Sequence, residues 1–400
     1  MKKLNKVVSL AMTSMLALSM LAGCGESGAA STTGTASQSE GSAAAGATFK
    51  IGAIGPLTGG AAAYGNAVCN AAELAVEEIN AAGGINGYQV EYSKEDDELN
   101  AEKSVNAYNA LKDWGMQVLV GSTTSACSIA VSENTKADNM FQLTPSGSAE
   151  DCVKYDNVFR VCFSDPNQGI ASAQYISNNN LATKVGIIYD SSDVYSSGIY
   201  QKFVEESEGK SYEVVSAEAF TQDNNTDFTV QLQKAKDAGA DLVFLPIYYK
   251  DASLILTQAN TMGYSPIFFG VDGLDGILTV ENFDTSLAEG VMLLTPFAAD
   301  ATDDLTVNFV TKYQEKYGEI PNQFAADAYD AVYIIKQAIE AKGVTPDMSI
   351  SDICEALKGA MTEIEAAGLT SAKMTWAANG EPNKEPKAVV IKDGAYVSAQ

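Results

Sequence analysis

The residues of this chain that could do chemistry are hydroxyls, aromatic rings and a few carboxylates that follow predicted strands. Hydroxyl-rich segments stand at Ser122–Ser125 and Pro145–Ser148, and the second half of the chain contributes the acidic segment Asp272–Asp275. Hydroxyls and the free N–H groups at helix starts can hold a carboxylate without arginine. A buried aspartate can hold an ammonium group when the two are hydrogen-bonded. These groups predict a site for a small zwitterion, such as an α-amino acid, clamped between two lobes.

The candidate binding residues all stand just past the ends of predicted strands. They are Tyr64, Ser125, Gly147, Ser148, Tyr195, Tyr248, Asp272 and Phe297. Each has a structural alternative: the serines could be helix N-caps, the tyrosines could be rim residues, and Asp272 could be an exposed turn residue beside a functional Asp275. Their shared position favours binding, because ligands of open α/β sheets sit beyond the carboxyl ends of the strands. The single arginine, Arg160, is interpreted as half of a structural ion pair.

The composition argues against most enzyme classes. The 400 residues contain no histidine, which excludes Ser-His-Asp and Cys-His hydrolysis and every His-ligated metal site. Lys+Arg number 25 against 51 Asp+Glu, and a net charge of −26 repels the phosphates of nucleic acid. Acid–base chemistry by Asp272 and Asp275 is the remaining enzyme alternative. We expect a binding protein with no catalytic residue, no cofactor, no metal and no nucleic-acid partner.

The N-terminus predicts an export signal. Met1–Lys6 carries three lysines, and the apolar run Val7–Leu21 is shorter than the ~20 residues that span a bilayer. The tetrad Leu21-Ala22-Gly23-Cys24 resembles the lipobox of bacterial lipoproteins. This resemblance implies that residues 1–23 are removed and that Cys24 is lipidated; the alternative is an ordinary signal peptide with an incidental cysteine.

The segment that follows predicts a tether. Gly25–Ala47 consists almost wholly of Gly, Ala, Ser and Thr, which cannot bury a core. With Cys24 acylated, residues 24–47 would hold a soluble body at the outer face of the cytoplasmic membrane, in the periplasm if the host has an outer membrane. Five cysteines remain beyond this segment, an odd number, so at least one stays unpaired or pairs between chains, and the pairing is left open; they are Cys69, Cys127, Cys152, Cys162 and Cys354.

The body alternates strands and helices. The predicted strands are Phe49–Gly55, Tyr88–Tyr92, Gln117–Val120, Met140–Thr144, Lys184–Tyr189, Tyr212–Ala219, Asp241–Leu245, Ile267–Gly270 and Val291–Leu294, before a short strand pair ending at Tyr396. The predicted helices are Val68–Ile79, Ala101–Trp114, Cys127–Ala137, Ser197–Ser207, Phe228–Ala238, Asp251–Met262, Leu305–Tyr317, Gln323–Ala341 and Ile353–Met361. Strands that are apolar throughout and separated by amphipathic helices favour parallel sheets covered on both faces. Because the alternation restarts after Pro166, we predict an α/β fold of two doubly wound parallel-sheet lobes.

The opening of the body resembles a known family. Residues 51–59 read IGAIGPLTG, Tyr64-Gly65 follow, and residues 75–87 read AVEEINAAGGING. This pattern resembles the start of type I periplasmic solute-binding proteins, and most of all the branched-chain amino-acid-binding lipoproteins of ABC importers. The similarity runs over about Lys50–Val397.

The resemblance implies two lobes joined by three hinge crossovers that close on a ligand. The first lobe would comprise residues 48–165 with 294–383, and the second residues 166–293 with 384–400. Carried over by position, Ser125 and Gly147-Ser148 would hold the ligand carboxylate, and Asp272 would meet its ammonium. The four candidate aromatic residues would form the pocket wall. Two departures bear on the aliphatic preference: the hydroxyls of Thr123 and Thr124, and an aspartate where some members use glutamate.

These features lead to a functional hypothesis. The chain would be a monomeric, lipid-anchored component of an ABC importer that captures an amino acid with a branched-chain, hydrophobic or small side chain. It would deliver this amino acid to permease and ATPase subunits. The alternative is a ligand-sensing receptor component that binds an amide, urea or an aromatic acid in the same cleft.

Overall fold

The computed structural model describes residues 46–399. The predicted signal peptide, Cys24 and nearly all of the predicted tether lie outside this range. The strands are β1 Thr48–Gly55, β2 Gln89–Asp96, β3 Val118–Val120, β4 Phe141–Thr144, β5 Val158–Arg160, β6 Lys184–Asp190, β7 Glu213–Phe220, β8 Leu242–Leu245, β9 Ile267–Gly270, β10 Met292–Thr295, β11 Lys387–Lys392 and β12 Ala395–Ser398. The helices are α1 Ala62–Ala81, α2 Ala101–Trp114, α3 Ser125–Asp138, α4 Asp165–Asn178, α5 Val194–Ser207, α6 Thr229–Asp237, α7 Tyr249–Thr261, α8 Asp304–Tyr317, α9 Gln323–Lys342 and α10 Ile350–Met361.

The first sheet is parallel and doubly wound. Its strand order is β2-β1-β3-β4-β5, and every pairing is parallel. Strands β3 and β4 are buried along their whole length, as expected for strands covered by helices on both faces. Because β2 and β3 lie on opposite sides of β1, the winding reverses there and opens a crevice at the carboxyl ends of the strands.

The second sheet repeats this winding and adds a hairpin. Its order is β12-β11-β10-β9-β8-β6-β7, so β7-β6-β8-β9-β10 corresponds strand for strand to the first sheet. Strands β11 and β12 run antiparallel, which departs from a purely parallel sheet. Asp393 (φ 51°) and Gly394 (φ 74°) form the connection between them, and two left-handed residues suit the tight turn of a two-residue hairpin.

The chain passes between the two sheets three times. The passages follow β5, follow β10, and precede β11. Strand β10, Met292–Thr295, belongs to the second sheet. The first and third passages are joined by Lys384, whose Nζ donates to the Val161 carbonyl (3.0 Å) and to Asp327 Oδ1 on α9 (2.5 Å).

Helix α4 and strand β5 are present although the sequence patterns did not predict them. The buried face of α4 begins with Asp165, Gln168, Gly169 and Ser172 and has apolar side chains only at Ala173 and Ile176, so its apolar period is weak. Its start is marked instead by Ser164, whose side chain accepts from the N–H of Asn167 (3.5 Å). Strand β5 is three residues long and includes the buried Arg160, so hydropathy conceals it as well.

Three further observations apply to residues 46–399. No helix there has both the length and the apolar character needed to cross a bilayer. No group of three or more Cys, Asp and Glu side chains in this range is arranged to hold a metal ion. The five cysteines in this range are buried and unpaired.

Candidate functional site

The candidate residues lie on segments that follow the carboxyl ends of strands in the two sheets, and Phe297 alone follows β10. The first lobe contributes the segments after β1, β3 and β4, and the second lobe those after β6, β8 and β9. In each lobe the first two of these strands flank the winding reversal, where the topology of an open α/β sheet creates a crevice, and the third lies next to them.

Ser125 ties together the first-lobe side of the site. It is the first residue of α3, and its Oγ accepts the N–H groups of Ser148 (3.3 Å) and Ala149 (3.2 Å). The Gly147 N–H donates to Thr144 Oγ1 (2.8 Å), and a Cβ at Gly147 would lie 2.7 Å from that same oxygen. The turn after β4 therefore lies directly against the start of α3, whose first-turn N–H groups have no partners within the helix.

Asp272 provides the second-lobe side. It begins the short 3-10 turn Asp272–Leu274 after β9, and its Oδ1 accepts the Tyr195 hydroxyl at 2.6 Å. The same hydroxyl accepts the Gly273 N–H at 2.9 Å. A Cβ at residue 273 would lie 2.5 Å from the Tyr195 hydroxyl oxygen, so glycine is required for this contact.

Three tyrosines form an aromatic wall across both lobes. The Tyr195 ring stacks on Tyr248 with a centroid distance of 5.0 Å, and Tyr64 packs edge-on against Tyr248 at 5.5 Å. Tyr64 belongs to α1 of the first lobe, yet its hydroxyl donates to the Gly273 carbonyl (2.5 Å) and accepts the Tyr249 N–H (3.2 Å). The two lobes are therefore in contact through Tyr64.

Helix α4 connects the two sides and contributes residues that the sequence analysis missed. The Asp165 N–H donates to the Ser148 carbonyl (2.9 Å), and Gln168 Oε1 accepts the Asp272 N–H (3.2 Å). Both carboxylate oxygens of Asp165, the Gln168 amide nitrogen and Thr124 Oγ1 are buried without a hydrogen-bond partner among the described residues. Buried polar groups are usually satisfied, so these four groups are where a bound polar guest would find partners.

The charge of the cleft suits a cation. Asp272 is 3% exposed, and its burial raises its pKa to about 7. Burial also raises the pKa of Asp165 well above its usual range, and the nearby charge of Asp272 adds to this increase. Ionised carboxylates in such surroundings are unfavourable unless a positive group enters.

Phe297 lies apart from the other candidate residues. Its ring packs against Phe309 (6.1 Å) and lines a side cavity rather than the tyrosine wall. The phenylalanine that touches Tyr64 is Phe324, at a centroid distance of 4.3 Å and only 4% exposed. It stands near the start of α9, behind the N-cap Asn322, which accepts from the Ala325 N–H (3.1 Å). A search of helix starts as well as strand ends could have found it.

The interpretation of Arg160 as a structural ion pair is confirmed. Its NH2 bonds to Glu381 Oε1 at 2.8 Å, and its NH1 donates to the carbonyls of Gly147 (3.0 Å) and Ser148. The guanidinium therefore supports the turn after β4 from behind.

The two doubly wound lobes meet at their strand ends, around hydroxyls, the Asp272 carboxylate and aromatic side chains. This is the architecture of a two-lobed solute-binding protein. The periplasmic binding protein family matches residues 48–395, and the chain belongs to this family. This membership confirms the resemblance and the predicted fold class. It also confirms the prediction that the chain is not an enzyme, since the family consists of binding proteins.

Curated relatives extend over most of the chain. The Leu/Ile/Val-binding protein homolog 3 of Brucella melitensis is 31% identical over 306 residues, which cover 76% of this chain and 82% of the relative. The leucine-, isoleucine-, valine-, threonine- and alanine-binding protein of Pseudomonas aeruginosa is 26% identical over 311 residues, which cover 77% of this chain and 82% of the relative.

Solved structures agree with this family. The branched-chain amino acid transporter substrate-binding protein of Streptococcus pneumoniae, in complex with isoleucine, superposes with a TM-score of 0.80 at 29% identity, covering 88% of this chain and 99% of that one. A leucine-binding protein from Thermotoga maritima gives a TM-score of 0.78 at 26% identity, covering 88% of this chain and 98% of that one.

Proposed function

We propose that this chain is the extracytoplasmic substrate-binding component of an ABC importer for an amino acid with a branched or small aliphatic side chain. The observation that carries the proposal is the cluster in which α4 links the two lobes: the Asp165 N–H donates to Ser148 of the first lobe, and Gln168 accepts the N–H of Asp272 in the second. The names of the relatives, which include proteins for leucine, isoleucine and valine, support the same substrate class.

Each part of an amino acid has a counterpart in the cleft. The carboxylate would accept hydrogen bonds from the Ser148 hydroxyl and from the free N–H groups at the start of α3. The ammonium would lie against Asp272, where its charge compensates a buried carboxylate. The aliphatic side chain would pack on the tyrosine wall and on Phe324, where apolar burial contributes about 25 cal/mol per Å².

Closure of the two lobes is part of the proposed mechanism, because neither lobe alone offers both charge partners. In the closed arrangement Tyr64 bonds to the Gly273 carbonyl, and Lys250 Nζ donates to the Gly59 carbonyl at 3.0 Å. We propose that the ligand selects this arrangement by binding both lobes, and that the permease recognises it. The lobes would comprise residues 48–165 with 296–383, and 166–295 with 384–400.

A ligand screen tests this function. The full-length chain would be melted with each of the common amino acids, and binding would then be measured by calorimetry. A true ligand at one hundred times its Kd should add about 2.7 kcal/mol to the free energy of unfolding. We expect leucine, isoleucine or valine to give the largest increase in Tm.

Analogues of the ligand separate its charged groups. Isopentylamine, which lacks the carboxylate of leucine, and 4-methylpentanoate, which lacks the ammonium, should each bind at least a hundredfold more weakly than leucine. Benzamide, urea and benzoate test the alternative ligand classes. A Tm increase with one of these compounds and with no amino acid would overturn the proposed substrate class.

The proposal extends to the N-terminal segment and to the partners. We propose that residues 1–23 are a signal peptide, that Cys24 carries the lipid, and that the protein works as a monomer with permease and ATPase subunits. Cys24→Ser should release the protein from membranes into the soluble fraction, because two acyl chains provide the anchor. Retention of this variant in the membrane fraction would contradict the lipid assignment.

A further inference from the structure

We propose that a side cavity between the lobes is a second ligand site, which takes an organic ammonium ion with an apolar body. The cavity has a volume of about 830 Å³, within the range of small-molecule sites. Its walls come from α1 and α8 of the first lobe, and from the start of α7 and the segments after Asp275 and Gly394 of the second. The cleft residues Tyr64, Ser148, Tyr195, Tyr248 and Asp272 do not line it, so it is separate from the amino-acid site.

The acidic group of this site is Asp275. It lines the cavity and is 5% exposed, and its Oδ2 caps α9 by accepting the Gln323 N–H at 2.8 Å. Its other oxygen, Oδ1, is buried and has no donor in hydrogen-bond geometry among the described residues, and the neighbouring Tyr396 hydroxyl only partly offsets the increase in pKa that burial causes in this carboxyl. A buried carboxylate oxygen with no partner beside a cavity of this size is suited to receive an N–H donor from a guest.

The remaining walls are aromatic. They include the side chains of Tyr249, Phe297, Tyr313, Tyr317 and Tyr396. All four tyrosine hydroxyls have protein partners: Tyr317 donates to the Asn70 carbonyl (2.8 Å) and Tyr313 to Glu319 Oε1 (3.3 Å), while Tyr249 accepts the Ala63 N–H (3.3 Å) and Tyr396 the Gly276 N–H (3.0 Å). The rings are therefore what these side chains offer to a guest, and aromatic faces attract cations and apolar groups.

The charge at the rim favours a cation over an anion. Glu281, Asp300 and Glu319 line the exposed edge, and Lys250 is the single basic residue among the lining side chains. The Lys250 ammonium is directed to the Gly59 carbonyl at 3.0 Å. With Asp275, the cavity has four acids against one base, within a chain whose net charge is −26.

The experiment uses 2-phenylethylammonium chloride as the probe and neutral 2-phenylethanol as its control. Binding to the full-length chain would be measured by calorimetry at pH 7.5. We expect one ammonium ion to bind per chain, at least tenfold more tightly than the alcohol. Asp275→Asn keeps an oxygen for the Gln323 N–H but removes the charge, and it should weaken binding of the ammonium at least tenfold.

Three further variants make the test specific. Val310→Trp on α8 should fill the cavity and abolish binding while leaving Asp275 intact. Asp237→Asn removes an exposed charge on α6, and it should have no effect on binding of the probe. Asp272→Asn alters the amino-acid cleft and should leave binding of the probe unchanged, which separates this proposal from the proposed function.

Several outcomes would overturn the proposal. One is the absence of binding at millimolar probe concentration. Another is equal affinity for the ammonium and the alcohol, which would exclude a role for the Asp275 charge. A third is loss of binding in Asp272→Asn with retention in Asp275→Asn, which would place the probe in the amino-acid cleft instead.

Discussion

Replacing Asp272 with asparagine should weaken amino-acid binding more than any other single change in the cleft. The substitution keeps the shape of the side chain and an oxygen that can accept the Tyr195 hydroxyl, now 2.6 Å from Asp272 Oδ1. It removes the one charge that the second lobe offers to the ligand ammonium. Removing one partner of a buried ion pair costs about 3–5 kcal/mol, which corresponds to about two to four decades in Kd.

The pH dependence of binding makes this prediction sharper. Burial raises the pKa of Asp272 to about 7, so in the free protein its carboxylate is about half ionised at pH 7. An ammonium ligand selects the ionised form, and below pH 7 each pH unit should cost about 1.4 kcal/mol, a tenfold loss of affinity. Because the carboxylate is half ionised at pH 7 and about 1% ionised at pH 5, binding to the unaltered protein should be about fiftyfold weaker at pH 5 than at pH 7. In Asp272→Asn this contribution should vanish.

Calorimetry from pH 5 to pH 8 measures both effects, with Asp165→Asn as the matched control. Asp165 faces the same cleft, and its pKa is also raised by burial, so its variant shows how much of the slope belongs to that group. A Kd for Asp272→Asn within threefold of the unaltered protein would refute the ammonium assignment. So would an unchanged pH slope.

Other contacts give predictions that are independent of this one. Phe324→Ala should weaken amino-acid binding at least tenfold, because it removes a ring that contacts the tyrosine wall. Phe297→Ala should change the Kd less than threefold, because this ring packs against Phe309 instead. Calorimetry on both variants decides which ring belongs to the cleft. Lys384→Met should lower the free energy of unfolding by about 3–5 kcal/mol, because it leaves the buried Asp327 carboxylate without its cation. Urea denaturation measures this loss, and an unchanged midpoint would exclude an important role for the pair. Without ligand, Tm should fall as pH rises from about 4 to 7, since the folded chain retains protons on Asp272 and other buried acids that the unfolded chain has lost. A Tm that rises over this interval would contradict the raised pKa values.

Much of the fold could be predicted because its strands are apolar and its helices amphipathic. Helix α2 and strand β9 have the predicted bounds, Ala101–Trp114 and Ile267–Gly270. The grouping of the polar site could be predicted for a topological reason. Parallel strands place their carboxyl ends on one edge of the sheet, so residues far apart in the chain, such as Ser148 and Asp272, converge there.

The residues that could not be predicted belong to elements without such a signal. Helix α4 buries polar side chains, among them Asp165 and Gln168. In the sequence, such polar residues are typical of a solvent-exposed helix face. Phe324 contacts Tyr64 from the start of α9, a helix that follows the second passage between the lobes. No rule about strand ends selects it over Phe297. In both cases the sequence does not show which helix start points at the crevice, because this depends on the tertiary packing of the helices.

We expect the buried acids to oppose closure of the cleft when it is empty. Closure places Asp165 and Asp272 in the same apolar surroundings, where burial raises the pKa of each carboxyl. Near pH 7, closing the empty cleft must either protonate these groups or bury their charge, and both choices cost free energy. In the proposed mechanism, an entering ammonium would remove this cost while the tyrosine wall, Ser125 and the turn after β4 bind the rest of the ligand. These carboxylates would therefore make closure of the lobes depend on a positively charged ligand. A transporter that recognises the closed form could then distinguish the loaded binding protein from the empty one.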